Sequence, residues 1–246
     1  MKIKWNSEQI PKMNVKNNKD VTFLTYPAYE EMNWLVHGFS TRFGGVSRGI
    51  YSSMNLSFTR GDEESCVKEN YRRISDAMGF DMNSIVTSDQ THTNNVRKVT
   101  EKDRGKGIVI PRDYTDTDGM ITNVPGLVLA TFYADCVPLY FADPANHAIG
   151  PSICQECYEV SEDVIEEFEK VFDKKYRNRL FYRKENGKYQ LNLWMANKII
   201  FLEAGIPEEN ISMPNLCTCC NPDFLFSHRA SHGKRGNLGA FLGIRS

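Results

Sequence analysis

Residues Thr117–Gly150 read TDGMITNVPGLVLATFYADCVPLYFADPANHAIG. Two apolar, β-rich runs stand out, Leu127–Tyr133 and Val137–Ala142, with Ala134-Asp135-Cys136 wedged between them. Near-continuous apolar runs of this length are expected to form strands buried on both faces. A carboxylate and a thiol placed where two such strands meet are costly to bury unless paired, hydrogen-bonded or metallated. Asp135 and Cys136 are therefore the first candidates for chemistry, and groups elsewhere in the chain must say which chemistry it is.

Upstream of this stretch, Val21–Tyr26 and Trp34–Thr41 read as strands joined by a single helical turn from Pro27. The second runs into RFGGVSRG (Arg42–Gly49), a glycine-rich turn that suits either a plain hairpin or a close approach to a ligand. Asp62–Gly79 is the best helix: Asp62 can cap it, Val67, Tyr71, Ile74 and Met78 line one face, and Gly79 ends it. Ile85–Thr87 and Val96–Thr100 are expected strands around the polar loop SDQTHTNN (Ser88–Asn95). Downstream, a second amphipathic helix carries Val160, Val164, Phe168 and Val171, and Asn186-Gly187 marks a hairpin between Leu180–Arg183 and Lys188–Leu191. Asn192 caps a third helix that Gly205 closes, and strands follow at Ile211–Met213 and Leu238–Ile244. Strands outnumber helices without strict βαβ alternation, which predicts an α+β fold with mixed or antiparallel sheet and outer helices. With no linker-like segment and no internal repeat, residues 1–246 read as one domain.

At 246 residues the chain can bury a large core, and 41% hydrophobic with 25% charged residues is ordinary for a globular protein. Lys+Arg of 30 against Asp+Glu of 31 leaves a net charge of −1, so no global field favours nucleic acid or an anionic membrane as partner. No apolar run approaches the roughly 20 residues of a spanning helix. The N-terminus, MKIKWNSEQIPKMNVKNNKD, is too polar for a secretory signal, so a cytoplasmic location is expected. Seven cysteines, an odd number, then read as reduced thiols whose work is packing, metal binding or nucleophilic chemistry.

His92 lies in the polar loop, where a lone histidine is most often merely exposed. Paired with Cys136 it supports either a thiolate nucleophile activated by imidazole or a zinc site, and spacing leaves both open. Cys154-x-x-Cys157 and Cys217-x-x-Cys220 supply two further pairs, with Cys219 spare. The gap between them far exceeds the roughly 15–20 residues of a zinc ribbon, which favours packing around a shared pocket over a structural zinc. The C-terminal cluster His228, Arg229, His232, Lys234 and Arg235 suits either phosphate or water.

Taken in order, HGFSTRFGGVSRGIYSSMNL, GDEESCVKENYRRI, DQTHTNNV, TDGMITNVPGLVLATFYADCVPLYFADP, IGPSICQECYEV and CTCCNPDFLFSHRASHGKRGNLGAF form one pattern. With it, the chain beyond about residue 20 resembles the laccase-domain family, also called multicopper polyphenol oxidase-like or purine nucleoside phosphorylase-like proteins. The resemblance implies an α/β/β/α layered fold and a pocket metal site of His, Cys and His, usually read as zinc. It implies phosphorolysis of purine nucleosides (adenosine, inosine, methylthioadenosine) to base and ribose 1-phosphate, with adenosine deamination as a second activity. By that resemblance the first two ligands fall on His92 and Cys136. Arg42, Gln90, Asp135 and Arg229 are the expected substrate-binding residues, Arg42 and Arg229 for phosphate. The third ligand belongs to an H-x-G-W-[RK]-G segment that should follow Gly150. Here Ile149-Gly150-Pro151 serves as both exit from one strand and entry to the next, so on the order of 30 residues are missing at 150/151. The implied activity is then expected to be impaired, leaving a non-catalytic nucleoside- or partner-binding remnant as the alternative. Copper phenol oxidation fits less well, because there are five histidines and no H-x-H pair. The oligomeric state is left open.

Overall fold

The chain, seen in a computed structural model that describes residues 2–143 and 146–246, begins with an unforeseen strand, β1 (Asn14–Asn18), paired with β2 (Val21–Thr25). Lys19 and Asp20 between them have φ of 49° and 64°, as a two-residue type I′ turn requires. A single turn, α1 (Pro27–Glu30), leads to β3 (Leu35–Ser40), and α2 (Glu64–Met78) follows the glycine-rich segment. Next come β4 (Ile85–Thr87), β5 (Val96–Lys98), β6 (Gly119–Ile121), β7 (Val128–Tyr133), β8 (Leu139–Ala142) and β9 (Asn146–Ile149). After these run β10 (Glu159–Val160), α3 (Glu162–Val171), α4 (Arg177–Leu180), β11 (Phe181–Arg183) and β12 (Tyr189–Leu191). The chain ends with α5 (Leu193–Glu203), β13 (Ile211–Ser212) and β14 (Leu238–Ile244). Pro144 and Ala145, inside the stretch quoted first, lie outside the described residues.

The main sheet has six strands in the order β1-β2-β3-β14-β7-β4. The last strand of the chain thus sits between β3 and β7, antiparallel to both, while β4 runs parallel to β7. A second sheet, β13-β9-β8, is also mixed. On one face of the main sheet α2 packs Val67, Tyr71 and Ile74 against Val36, Val128, Ala130 and Phe241. The opposite face packs Leu35, Phe39 and Leu238 against Tyr140, Ala142 and Ala148 of the second sheet. Beyond that sheet lies α5, whose Trp194 and Phe201 meet Ile149 and Ile211. The layers are therefore α/β/β/α, an α+β fold of mixed sheets with outer helices. A smaller core under α3 belongs to the β10-β12-β11 sheet. No helix among the described residues is long and apolar enough to cross a membrane.

Two local expectations are corrected. Asp62 does not cap α2: the cap position is Glu63, and Asp62 instead accepts from Ser47 Oγ at 2.6 Å and Asn55 Nδ2 at 2.9 Å. Nor are β7 and β8 buried on both faces. Tyr140 and Ala142 of β8 are in the core, but Leu139 and Phe141 are 39% and 51% exposed. Both side chains line a cleft, where Phe141 has only the edge of the α5 layer, Phe201, and His147 against its ring.

β3 also buries a histidine. His37 Nε2 accepts the Tyr26 amide at 2.9 Å and its ring meets Tyr29 edge-on. Burial pushes this imidazole down to about 4, with Glu30 opposing, so it is neutral in the folded protein. The unfolded chain protonates it near 6.5, so its contribution to stability is present above that pH and is lost as pH falls toward 4. Thermal melting should therefore lose up to about 3 kcal/mol over that window from this residue. The His37→Gln variant should show a correspondingly flatter profile.

Candidate active site and cysteine tetrad

A cleft of about 1760 Å³ runs along β7, walled by β8, the segments 56–60, 88–94 and 107–123, and Arg235. His92 and Cys136, which the sequence picked from separate stretches, both line it. Leu129, Thr131 and Tyr133 form part of its floor, four residue steps that make it at least about 13 Å long.

The loop holding His92 is shaped by one carboxylate. Asp118 accepts the amides of Thr91, His92 and Thr93 at 3.0, 3.0 and 2.9 Å, which lets His92 sit at φ 66°. Burial disfavours the charged form of Asp118, but these hydrogen bonds prevail and hold its carboxyl below the ordinary range. Cys136 is set by Asp135, itself at φ 89°. Asp135 Oδ1 accepts the Thr218 hydroxyl at 2.6 Å, Oδ2 accepts the Arg229 amide at 2.7 Å, and its carbonyl accepts the Ile153 amide at 3.0 Å. The cost of placing a carboxylate here is thus offset by neutral donors. Solvent reaches Cys136, yet the crowding cleft walls and then Asp135 push its thiol up, with Arg235 opposing. It is therefore a protonated thiol at neutral pH unless a cation displaces the proton.

The cationic groups of the cleft are not those expected. Arg42 donates to the carbonyls of Ser52 and Pro222 and stacks on Phe226, outside the cleft. Arg229 donates its guanidinium to the carbonyls of Cys157 and Glu159, also outside it. Arg60, Arg112 and Arg235 line the cleft instead. Arg112 is engaged by Asp89 and the Ser88 carbonyl. Arg235 is 8% exposed, its Nε has no partner, and burial with the like charge of Arg60 pushes it down to about 10. A buried guanidinium with an unused donor is a natural anion site. Gln90 lines the cleft with its Oε1 accepting the Phe132 amide at 2.7 Å.

A zinc at His92 and Cys136 needs a third protein ligand to resemble known catalytic sites. Among the described residues, no third His, Cys, Asp or Glu joins that pair. His147 packs on Phe141 and Phe201, and His228 is exposed with Nδ1 facing Arg235 at 3.5 Å. The residues present do not complete the metal site implied by the resemblance.

The cysteines whose spacing disfavoured a zinc site are the ones that converge. The Sγ atoms of Cys154, Cys157, Cys217 and Cys220 all lie within 4.8 Å of one another, a group that could hold a metal ion. Cys154 and Cys217 are 63 residues apart, and the fold closes that gap by pairing Ser152 with Cys217 in a parallel bridge. Sequence separation was the wrong measure, because each CxxC sits on its own loop and only the layer packing sets the distance between loops. Within the group, Cys154 and burial push the Cys217 thiol up, and burial with Cys220 pushes Cys157 up.

Fold and cleft together define a four-layer α/β/β/α protein with a histidine–cysteine pocket at the edge of its main sheet. The sequence profile described as multi-copper polyphenol oxidoreductase laccase matches residues 36–150 and 146–245, so 146–150 fall in both matches. Purine nucleoside phosphorylase YlmD of Bacillus subtilis is 32% identical over 252 residues, spanning 86% of this chain and 89% of its own. Adenosine deaminase RL5, from an unknown prokaryotic organism, is 28% identical over 233 residues, spanning 79% and 88%. The crystal structure of YlmD from Geobacillus stearothermophilus covers 96% of this chain and 100% of that one, with a TM-score of 0.86 at 28% identity. The chain belongs to this laccase-like multi-copper polyphenol oxidoreductase family, which includes relatives named purine nucleoside phosphorylase.

Two outcomes are expected from this geometry. Asp135→Ala strands two donors, and urea denaturation should register a loss of about 2–4 kcal/mol, with less for Asp135→Asn. Maleimide labelling of Cys136 should need more alkaline pH than an ordinary thiol, and Arg235→Ala should move that midpoint higher still.

Proposed function

We propose that the chain is a purine nucleoside phosphorylase relative that binds a purine nucleoside and phosphate in the His92–Cys136 cleft and turns them over poorly. The observation that carries this reading is a cleft lined by both His92 and Cys136, with no third His, Cys, Asp or Glu grouped with them among the described residues. The apparent loss of a segment at 150/151 is supported from two sides: residues 146–150 serve two family matches, and the alignment with the Bacillus subtilis relative runs over 252 residues yet takes in only 86% of this chain.

In the intact reaction a phosphate oxygen bonds to the ribose C1′ as the bond from C1′ to the purine nitrogen breaks. The products are ribose 1-phosphate and a purine whose nitrogen takes up a proton. Arg235 and Arg60 hold the phosphate and answer its charge, the role the sequence had suggested for Arg42 and Arg229. Gln90, fixed through Oε1, meets the base with its amide nitrogen, while Asp135 acts by holding Cys136 in place. Adenosine, inosine and methylthioadenosine are the substrates to try, and adenosine deamination the second activity. No step is assigned to a zinc or copper ion in this cleft, whose lining includes a single histidine among the described residues. Binding without turnover, as in a non-catalytic remnant, is the limiting form of the same reading.

Calorimetry with adenosine and inosine, with and without phosphate, should show binding that Arg235→Ala weakens. Phosphorolysis should run at least about 100-fold below the Bacillus subtilis relative, since even outer-shell losses at metal sites cost 10–100-fold. Turnover equal to that relative would overturn the proposal. Insertion of the relative's missing segment between Gly150 and Pro151 should raise turnover.

A further inference from the structure

We propose that Cys154, Cys157, Cys217 and Cys220 bind one zinc ion as a closed tetrathiolate that staples the segment after Gly150 to the C-terminal loop. This site is separate from the cleft and does not rest on the nucleoside reading.

The distances fit the ion. Zinc–sulfur bonds of about 2.3 Å in a tetrahedron place sulfurs about 3.8 Å apart. Cys157 and Cys220 have Sγ atoms 3.4 Å apart, and Cys154 and Cys220 4.0 Å, on either side of that value. Two backbone amides also point at one sulfur: the N–H groups of Cys154 and Cys220 donate to Cys217 Sγ at 3.2 and 3.4 Å. Amides aimed at sulfur stabilise a thiolate rather than a thiol, and a thiolate is the metal-binding form. Each loop supplies its pair with C-x-x-C spacing, the commonest arrangement in structural zinc sites. Cys154 and Cys217 are 2% and 0% exposed, so any bound ion is shielded on that side. Four protein sulfurs fill a tetrahedral shell and leave no position for substrate, which makes the site structural.

The staple has a definite purpose in this fold. Thr218, beside the ligand Cys217, donates to Asp135, and its amide donates to the Ser152 carbonyl at 3.1 Å. Arg229 ties the Cys157 and Glu159 carbonyls to the same loop. An ion holding the two cysteine pairs together fixes the wall against which the Asp135–Cys136 turn is built. Cys219 lies between two ligands in sequence and is left out of the four-sulfur group.

The test uses the full chain purified under reducing conditions without chelator. Elemental analysis should find one zinc per chain, and X-ray absorption at the zinc edge should show four sulfur neighbours at about 2.3 Å. Removing the cleft donors with His92→Ala and Cys136→Ser should leave that zinc and its spectrum unchanged, whereas Cys157→Ser with Cys220→Ser should reduce zinc to background. Cobalt substituted into the unmutated chain should give tetrahedral visible bands with sulfur-to-metal charge transfer. A zinc-free chain with four titratable thiols, a Cys157–Cys220 disulfide, bound iron instead of zinc, or nitrogen or oxygen neighbours at the zinc edge would each overturn the proposal. The absorption measurement needs no variant, so misfolding of the cysteine double mutant cannot mask the outcome.

Discussion

The carboxylate of Asp135 is the point on which the candidate site depends. It accepts from Thr218 and from the Arg229 amide, while its own carbonyl accepts from Ile153. Three stretches of chain far apart in sequence therefore meet at one residue held at positive φ. Those bonds make a left-handed aspartate tolerable and aim Cys136 into the cleft. The same loop that supplies Thr218 supplies Cys217 and Cys220, so the cysteine tetrad and the cleft share a wall. A disturbance on the tetrad side reaches Cys136 through two short hydrogen bonds.

The connection after β9 is well formed in its own right. The Gly150 amide donates to the Pro138 carbonyl at 2.7 Å, and a Cβ at Gly150 would lie 2.6 Å from Pro138 Cγ. The close approach requires glycine, and it lets β9 pass directly into the segment carrying the first two cysteines. Continuity of the backbone is thus kept, while Leu139 and Phe141 of β8 stay 39% and 51% exposed.

Much of the fold was legible in the sequence because its elements obey strong local rules. The 186–187 turn, the Asn192 cap, whose Oδ1 accepts the Met195 amide at 3.0 Å, and the β14 boundaries all follow from residue type and spacing. β1 was not legible: Asn-Val-Lys-Asn-Asn has no apolar run, and it is a strand only because β2 offers an edge to pair with. His92 and Cys136, which both line the cleft, were singled out through a motif pattern, not through periodicity. Arg235 was visible only as one charge in a basic cluster, since burial of a guanidinium leaves no mark in sequence. That the two cysteine pairs lie within metal-binding distance was not legible, because a spacing rule for compact ribbons says nothing about loops that two packed layers bring together. The two-sided burial expected of β7 and β8 failed for a related reason, since an apolar run cannot report how far the next layer extends over it.

The position of β14 carries a consequence for how the protein is made. Its seven residues, Leu238–Ile244, fill the middle of the main sheet between β3 and β7. Every strand it joins leaves the ribosome before it does. Until those residues emerge, β3 and β7 each present an unpaired edge rich in apolar side chains, the kind of surface that recruits a foreign strand. The nascent chain must therefore carry two halves of the sheet unjoined until Leu238–Ile244 has been made. Closure of the main sheet waits on that one late segment, and protection of the open edges until then becomes part of this fold's cost of manufacture.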